Sequence, residues 1–285
     1  MSSFGAVVVL YAQSDEEISS ALDQLESLRP APELVVLVSN APDRDVSSFG
    51  TRARVVEMGR NAGFCAGANR GLAELVEAGL ERGLLMNSDV HNLAATTSRE
   101  LLDALDTRPD AAAVSPMISL WPDTSRLWYG AGEIVRPLWV TRHPGLGEPY
   151  EEDGVLRRTG YFSGCLVMMR LAPVVLAGGF DERLFMYYDE ADLATRLAER
   201  GWGSYVLARC LVAHDKPGRT LNANEAYFHA RNSRVLVQRY EKGLRRYVGE
   251  LAAYVLFFAQ WPRFENADAR RAYWRGLRES VAPLV

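Results

Sequence analysis

Two rhythms of apolar and polar positions alternate along the first part of the chain. Short apolar runs at residues 5–10, 34–38, 54–58, 84–86 and 111–114 are bounded by small or polar residues and read as buried strands. Between the first two, Ile18, Leu22, Leu25 and Leu28 recur at helical spacing. Ser14 precedes them as a cap, Asp15, Glu16 and Glu17 fill the first turn, and Pro30 ends the pattern. Further helices are predicted from within residues 59–71 to about 78, over 97–105 and 172–177, and from 189 to about 200. Apolar stretches at 162–169 and 203–211, the second ending near His214, supply later strands. Strands alternating with helices predict an α/β fold with a mostly parallel sheet covered on both faces.

The alternation stops twice. Residues 119–159 carry Trp121, Trp128 and Trp139 with several prolines and glycines. That is too long for a connector and reads as a folded insertion near a site, with a hairpin. After residue 220 the pattern turns helical, with Val235, Leu236, Tyr240, Leu244, Val248, Leu251 and Val255 forming a broad apolar stripe and a last helix over 267–281. The expected organisation is one catalytic domain over residues 1–218 and a helical extension over 219–285.

Composition narrows the class. Hydrophobic residues make up 48 % and charged residues 24 %, enough for a sizeable core. The formal net charge is -4, which argues against a nucleic-acid partner. Cys65, Cys165 and Cys210 are too far apart for a zinc motif and odd in number, so buried free thiols in a reducing cytoplasm are expected. The N-terminus lacks the pattern of a signal peptide, and the longest apolar run near the end, 251–259, is half of what spans a bilayer. The tail is expected to pack on the catalytic domain or a second subunit, as in a homodimer, with peripheral contact at the inner face of the plasma membrane as the alternative.

Several groups can carry chemistry. Asp89 follows a strand and is suited to a divalent cation, since Mg2+ favours a few carboxylates plus phosphate oxygens; taken alone it reads first as a helix cap or turn residue. The run Asn61–Gly71 is glycine-rich, yet it is neither a phosphate loop nor a dinucleotide fingerprint. Its small residues allow close approach of a ligand or of a neighbouring strand. Asp189, Glu190 and Asp192 crowd three carboxylates behind Phe185, Tyr187 and Tyr188. Such a cluster offers a general base, or a helix start with acids on the positive end of the dipole. His214 offers an imidazole ligand, and Lys216 and Arg219 could meet a diphosphate.

Taken together these segments resemble the inverting glycosyltransferases of family 2, of GT-A fold, and within them the rhamnosyltransferase-like enzymes of bacterial surface polysaccharides. Four blocks carry the resemblance, over about residues 5–218. Asn61, Gly63, Phe64, Gly67, Asn69 and Gly71 match the family's Asn-x-Gly-Phe-x-x-Gly-x-Asn-x-Gly loop; Asn87-Ser88-Asp89 falls at its metal-binding element. Gly164, Gly178 to Glu182, Phe185 and Tyr187 lead into Asp189-Glu190-Ala191-Asp192-Leu193, and His214 matches the histidine after the last strand. The tail segment from Tyr227 to Asn232 is similar to a recurrent family sequence.

The resemblance implies a nucleotide diphosphate sugar donor, such as dTDP-rhamnose or another dTDP or UDP sugar. It also implies a saccharide, lipid-linked or small-molecule acceptor and Mg2+ or Mn2+ as cofactor. Asp89 and His214 would hold the cation. Ser39, Asn40, Asp43, Asn61, Gly63, Phe64, Gly67, Asn69, Asn87, Lys216 and Arg219 would serve the donor. Tyr187, Tyr188, Asp192 and Trp128 would face the acceptor, and Glu190 or Asp189 would be the base. Two departures stand out. Ser39-Asn40 replaces the family's Asp-Asn, shifting base recognition toward Asp43, and Asp189-Glu190 replaces Glu-Asp. A nucleotide-sugar-binding protein without transfer activity is the other reading these departures leave, and a nucleotidyltransferase shares the sheet type.

Overall fold

The structure, a computed structural model, describes residues 3–215 and 220–279. Lys216 and Arg219, and the expected end of the last helix at residue 281, lie outside them. In chain order the elements are β1 (Gly5–Leu10), α1 (Asp15–Ser27), β2 (Leu34–Ser39), β3 (Arg54–Glu57), α2 (Gly63–Glu77), β4 (Arg82–Met86), β5 (Val90–His91), α3 (Thr97–Thr107) and β6 (Ala111–Leu120). The insertion supplies β7 (Leu127–Tyr129), β8 (Glu133–Val135), β9 (Val140–Arg142) and β10 (Leu156–Thr159). Then come β11 (Leu166–Arg170), α4 (Leu171–Leu176), α5 (Asp189–Ala198), β12 (Gly203–His214), α6 (Ala223–Tyr240), α7 (Gly243–Ala259) and α8 (Ala267–Arg278).

One sheet orders its strands β10-β12-β6-β11-β4-β1-β2-β3, with β5 on β12 and β7 on β6. The strands β1, β2, β3, β4, β6 and β12 share one direction, and β11 runs against its neighbours β4 and β6. Each face of this sheet is covered, because successive side chains of a strand point to opposite sides. Along β1, Ala6, Val8 and Leu10 enter a core with Ile18 and Leu22 of α1 and Leu101 of α3, whereas Val7 enters a second core with Leu72 of α2 and Leu193 of α5. A third core, among them Phe257, Phe264 and Tyr273, belongs to the C-terminal helices.

Local chemistry explains the helix starts. At α1 the Ser14 side chain accepts from the Glu17 N–H while the Glu17 carboxylate accepts from the Ser14 N–H, a reciprocal cap. The glycine face of α2 is a packing surface: a Cβ on Gly71 would lie 2.3 Å from a Val7 methyl carbon, and one on Gly67 2.7 Å from Val9.

Two strands differ from the sequence reading. β6 continues to Leu120 through Ser115 and Pro116, where the parallel partner β12 is irregular. A proline is tolerated at such a bulge, since no ladder donor is required of it. The apolar stretch 162–169 is a turn followed by the antiparallel strand β11. Ser163 donates its N–H to Ser115 Oγ at 3.1 Å and so leaves the strand path.

Candidate active site

The candidate residues collect where β2, β4 and β12 end and where α5 begins. At the end of β2, Ser39 and Asn40 are buried. Asn40 donates from Nδ2 to the Gly63 carbonyl at 3.1 Å, and its Oδ1 accepts the Ala62 N–H at 3.4 Å. This ties the strand end to the loop that opens α2. Asn61 accepts the Gly63 N–H at 3.1 Å and is itself exposed, as is Asp43 on the preceding turn. Phe64 is half-buried against Phe180. Gly63 has φ +87°, and a Cβ there would meet Phe185 at 2.5 Å, so only glycine lets these segments touch. Asn69 is engaged inside the fold: it accepts the Phe180 N–H and donates to the Phe180 carbonyl, both at 2.8 Å.

Beyond β4, the Asn87 N–H donates to the Cys165 carbonyl at 2.9 Å. Asp89 is exposed, and its Oδ1 stands 3.2 Å from Nε2 of buried His214. The short strand β5 produces this meeting, because Val90 pairs with His214 on β12. From the insertion, Trp128 lays its ring 4.6 Å from that of His214, and the Trp121 N–H donates to the His214 carbonyl at 2.9 Å. His143, also from the insertion, packs on Trp128, and burial pushes its imidazole down to about 4.

A carboxylate oxygen and an imidazole nitrogen converging from two segments are suitable ligand types for a divalent cation. No larger group of His, Cys, Asp or Glu suited to a metal occurs among the described residues. Two such ligands would leave the remaining positions of a divalent cation to phosphate oxygens and water.

The acidic block follows an unusual turn. Phe185, Tyr187 and Tyr188 have φ of 68°, 64° and 65°, left-handed conformations costly for residues with a Cβ. Helix α6 holds this turn. Asn232 donates from Nδ2 to the carbonyls of Leu184, Met186 and Tyr187 at 2.9, 2.8 and 3.0 Å. Phe228 stacks on Phe185 with ring centres 5.1 Å apart, His229 packs on Tyr187 and Tyr188, and Glu225 accepts the Tyr187 hydroxyl at 3.3 Å. Sequence reasoning singled out the segment 227–232 without giving Asn232 this part; its partners are backbone atoms of a distant turn, which leave no trace in spacing.

The three acids of the block differ. Asp189 is buried, and among the described residues its Oδ2 has no hydrogen-bond partner. Burial first, and then the charge of Glu190, raise its carboxyl well above the usual range. Glu190 is half-buried and its Oε1 accepts the Gly164 N–H at 3.3 Å. A Cβ on Gly164 would lie 2.8 Å from that oxygen, so the glycine makes room for the carboxylate. Asp192, expected at the acceptor site, is instead 0 % exposed. It accepts from Arg196 and from Arg239 and Tyr240 of α6, the last two at 2.8 Å. With every oxygen taken up inside the fold, it has no surface to offer an acceptor.

Glu190 and Asp89 are connected through the segment at Gly164 and Cys165. Glu190 touches Gly164, the next residue Cys165 accepts from Asn87, and Asp89 lies two positions on. The buried Cys165 thiol is raised well above its ordinary value by burial and then by the charges of both Asp89 and Glu190. Cys65 and Cys165 are buried free thiols, and Cys210 is half-buried.

No family model matches the chain. Over 186 residues, 59 % of its length, it is 30 % identical to the N-acetylglucosaminyl-diphospho-decaprenol L-rhamnosyltransferase of Mycobacterium tuberculosis, in two strains. The match spans 60 % of that relative's length. Among solved structures, GalNAc-T7 with UDP, GalNAc and Mn2+ superposes with a TM-score of 0.59 at 12 % identity, covering 75 % of this chain and 43 % of the other. The mannosyltransferase PcManGT from Pyrobaculum calidifontis, in complex with GDP-Man and Mn2+, gives 0.55 at 16 % identity over 98 % of this chain and 76 % of the other. Residues 1–349 of S. aureus TarS, in complex with UDP, give 0.54 at 15 % identity over 87 % and 68 %. The chain therefore has the GT-A fold and a rhamnosyltransferase as a sequence relative.

Proposed function

We propose that the chain transfers a hexose or deoxyhexose from a nucleotide diphosphate sugar to an acceptor hydroxyl, with inversion at the anomeric carbon. The supporting observation is that the segment carrying Asp89, which pairs with His214, is hydrogen-bonded through Asn87 to Cys165, the neighbour of the Gly164 that contacts Glu190. A leaving diphosphate and an incoming alcohol need opposite help within one sugar's width. The acid–imidazole pair suits the first and a half-exposed carboxylate suits the second.

Asp89 and His214 would hold Mg2+ or Mn2+ beside the diphosphate; when bound, the cation stabilises the charge that develops on the leaving group. Glu190 takes the proton from the acceptor hydroxyl as the oxygen attacks. Asp189 is unsuited to that part, because its carboxyl is buried where an acceptor hydroxyl has no access. The Gly164 N–H holds one Glu190 oxygen in place. Ser39, Asn40 and Asp43 at the end of β2 would take the nucleotide base, with Asn61 and Asn87 nearer the phosphates. Trp128 beside His214 would form one wall for the sugars.

The rhamnosyltransferase relative supports a deoxyhexose donor, and its name supports a lipid-linked acceptor. We place the reaction in the cytoplasm, where three free cysteines stay reduced. Glu190→Gln tests the proposal. Nucleoside diphosphate release in the presence of acceptor should fall by about a thousandfold, the range of a lost general base, while calorimetric donor binding stays within a few-fold. An unchanged transfer rate would reject Glu190 as the base, and donor binding without transfer by the parent chain would reduce it to a binding protein.

A further inference from the structure

Helix α7 is apolar on two opposite faces. One face, with Gly249, Ala253 and Phe257, packs on the rest of the chain. The other presents Leu244, Tyr247, Val248, Leu251, Val255 and Phe258 to solvent, with exposures of 79 % for Leu244 and 67 % for Phe258. These positions recur every three or four residues and so fall on one line along the helix. At 1.5 Å per residue the stripe is roughly 20 Å long. Solvated helices do not carry such a line without a partner for it.

Charge identifies the partner. Residues 219–285 contain 12 Lys and Arg against six Asp and Glu, a net of +6 in a chain whose total is -4. At the C-terminal end of the stripe, exposed Trp261 is covered by the Arg270 guanidinium at 4.1 Å from its ring centre. Beside it opens a groove of about 890 Å3 whose lining includes Trp274, Arg271, Arg275 and Arg278. An apolar stripe beside arginines and an interfacial tryptophan is the arrangement of a helix that lies in a bilayer surface. A second copy of the chain would bring two tails of +6 together, which disfavours self-association through this face.

We infer that α7 and the arginine groove of α8 dock the chain on an anionic phospholipid surface, α7 lying in the plane of the interface with its stripe among the acyl chains. No helix among the described residues is long and apolar enough to cross a membrane, so attachment through this face would be peripheral and salt-sensitive. The inference rests on the C-terminal helices and stands or falls separately from the transfer reading.

The test is co-sedimentation of the full chain with phosphatidylglycerol vesicles, with phosphatidylcholine vesicles as the neutral comparison. Binding to the first, weak binding to the second and release at 0.5 M salt, about three times physiological ionic strength, are expected. The triple variant L251S/V255S/F258S should partition roughly tenfold less. R271Q/R275Q/R278Q should lose the preference for the anionic vesicles. All six substitutions are at exposed side chains, and an unchanged thermal midpoint confirms that the variants fold. The inference is overturned if the parent chain stays in the supernatant with phosphatidylglycerol, or if the serine variant sediments like the parent. It is equally overturned if the parent elutes as a dimer that this variant dissociates, since a second copy then covers the stripe.

Discussion

Asp89 Oδ1 and His214 Nε2 stand 3.2 Å apart although they come from chain segments separated by three helices and most of the sheet. The two-residue strand β5, pairing Val90 with His214, fixes that distance through backbone geometry. His214 itself is buried, so only Asp89 faces solvent broadly. Replacing His214 by Ala should weaken nucleoside diphosphate binding at least tenfold, about 1.4 kcal/mol, in the presence of Mn2+. Binding measured in EDTA should change little. Titration calorimetry in both conditions checks this, and equal weakening in both would remove the cation from the explanation.

Asp189→Asn separates the two neighbouring acids. The folded carboxyl has a raised pKa, whereas in the unfolded chain it ionises near 3.9. Between those values the folded chain binds more protons than the unfolded one, so stability falls as pH rises above about 4. The amide carries no titrating group and keeps the shape. The variant should be more stable than the parent at pH 7 and show a flatter dependence between pH 5 and 8 in urea unfolding. Transfer should persist, because Glu190 remains.

His143 works with the opposite sign. Its imidazole is pushed down to about 4 by burial, while the unfolded one protonates near 6.5. The stability it contributes is whole above 6.5 and is lost as pH falls toward 4, amounting to about 3 kcal/mol across that window. His143→Asn should remove this acid sensitivity, measured as the difference in urea midpoint between pH 7 and pH 5.

Asn232→Ala withdraws three hydrogen bonds from a turn that three left-handed residues already strain. The expected cost is about 2 kcal/mol, one for each of the two N–H groups that the three carbonyls share. If the fold survives, kcat should drop more than donor affinity, since the turn runs directly into Glu190, whereas it meets the donor loop only where Phe185 abuts Gly63. Parallel losses in kcat and donor affinity would argue for general collapse instead.

Asp192→Ala takes from buried Arg196 its carboxylate partner and from Arg239 one of two, Asp181 remaining. Breaking a buried ion pair from one side costs roughly 3–5 kcal/mol. Thermal unfolding should show the loss directly, and a variant as stable as the parent would contradict the internal part described for this carboxylate.

What was legible in the sequence follows from how local each signal is. β1 declares itself because both its faces are buried, and α1 because Ser14 and Glu17 form a reciprocal cap within three residues. Residues 162–169 mislead because the run is apolar for two reasons: Phe162 fills a turn and Leu166 a strand. The end of β6 is obscured by Ser115-Pro116, which imitates a stop where the partner strand bulges. At the site, Asp89, Glu190 and His214 could be named from sequence pattern. Asp192 could not be told from its neighbours, since burial by Arg239 and Tyr240 is decided by a helix 47 residues away.

The clamp that Asn232 places on the turn before Glu190 bears on how such a protein can be recombined. A chain cut after the last sheet strand would abandon three backbone carbonyls and release the segment that leads into Glu190. Anyone grafting a new acceptor-recognising tail onto this sheet would have to carry α6 with it and make the junction beyond Tyr240. Any replacement for α7 and α8 would have to reproduce the face that closes on Ala226 and Ala230 of α6, with which these helices share a core.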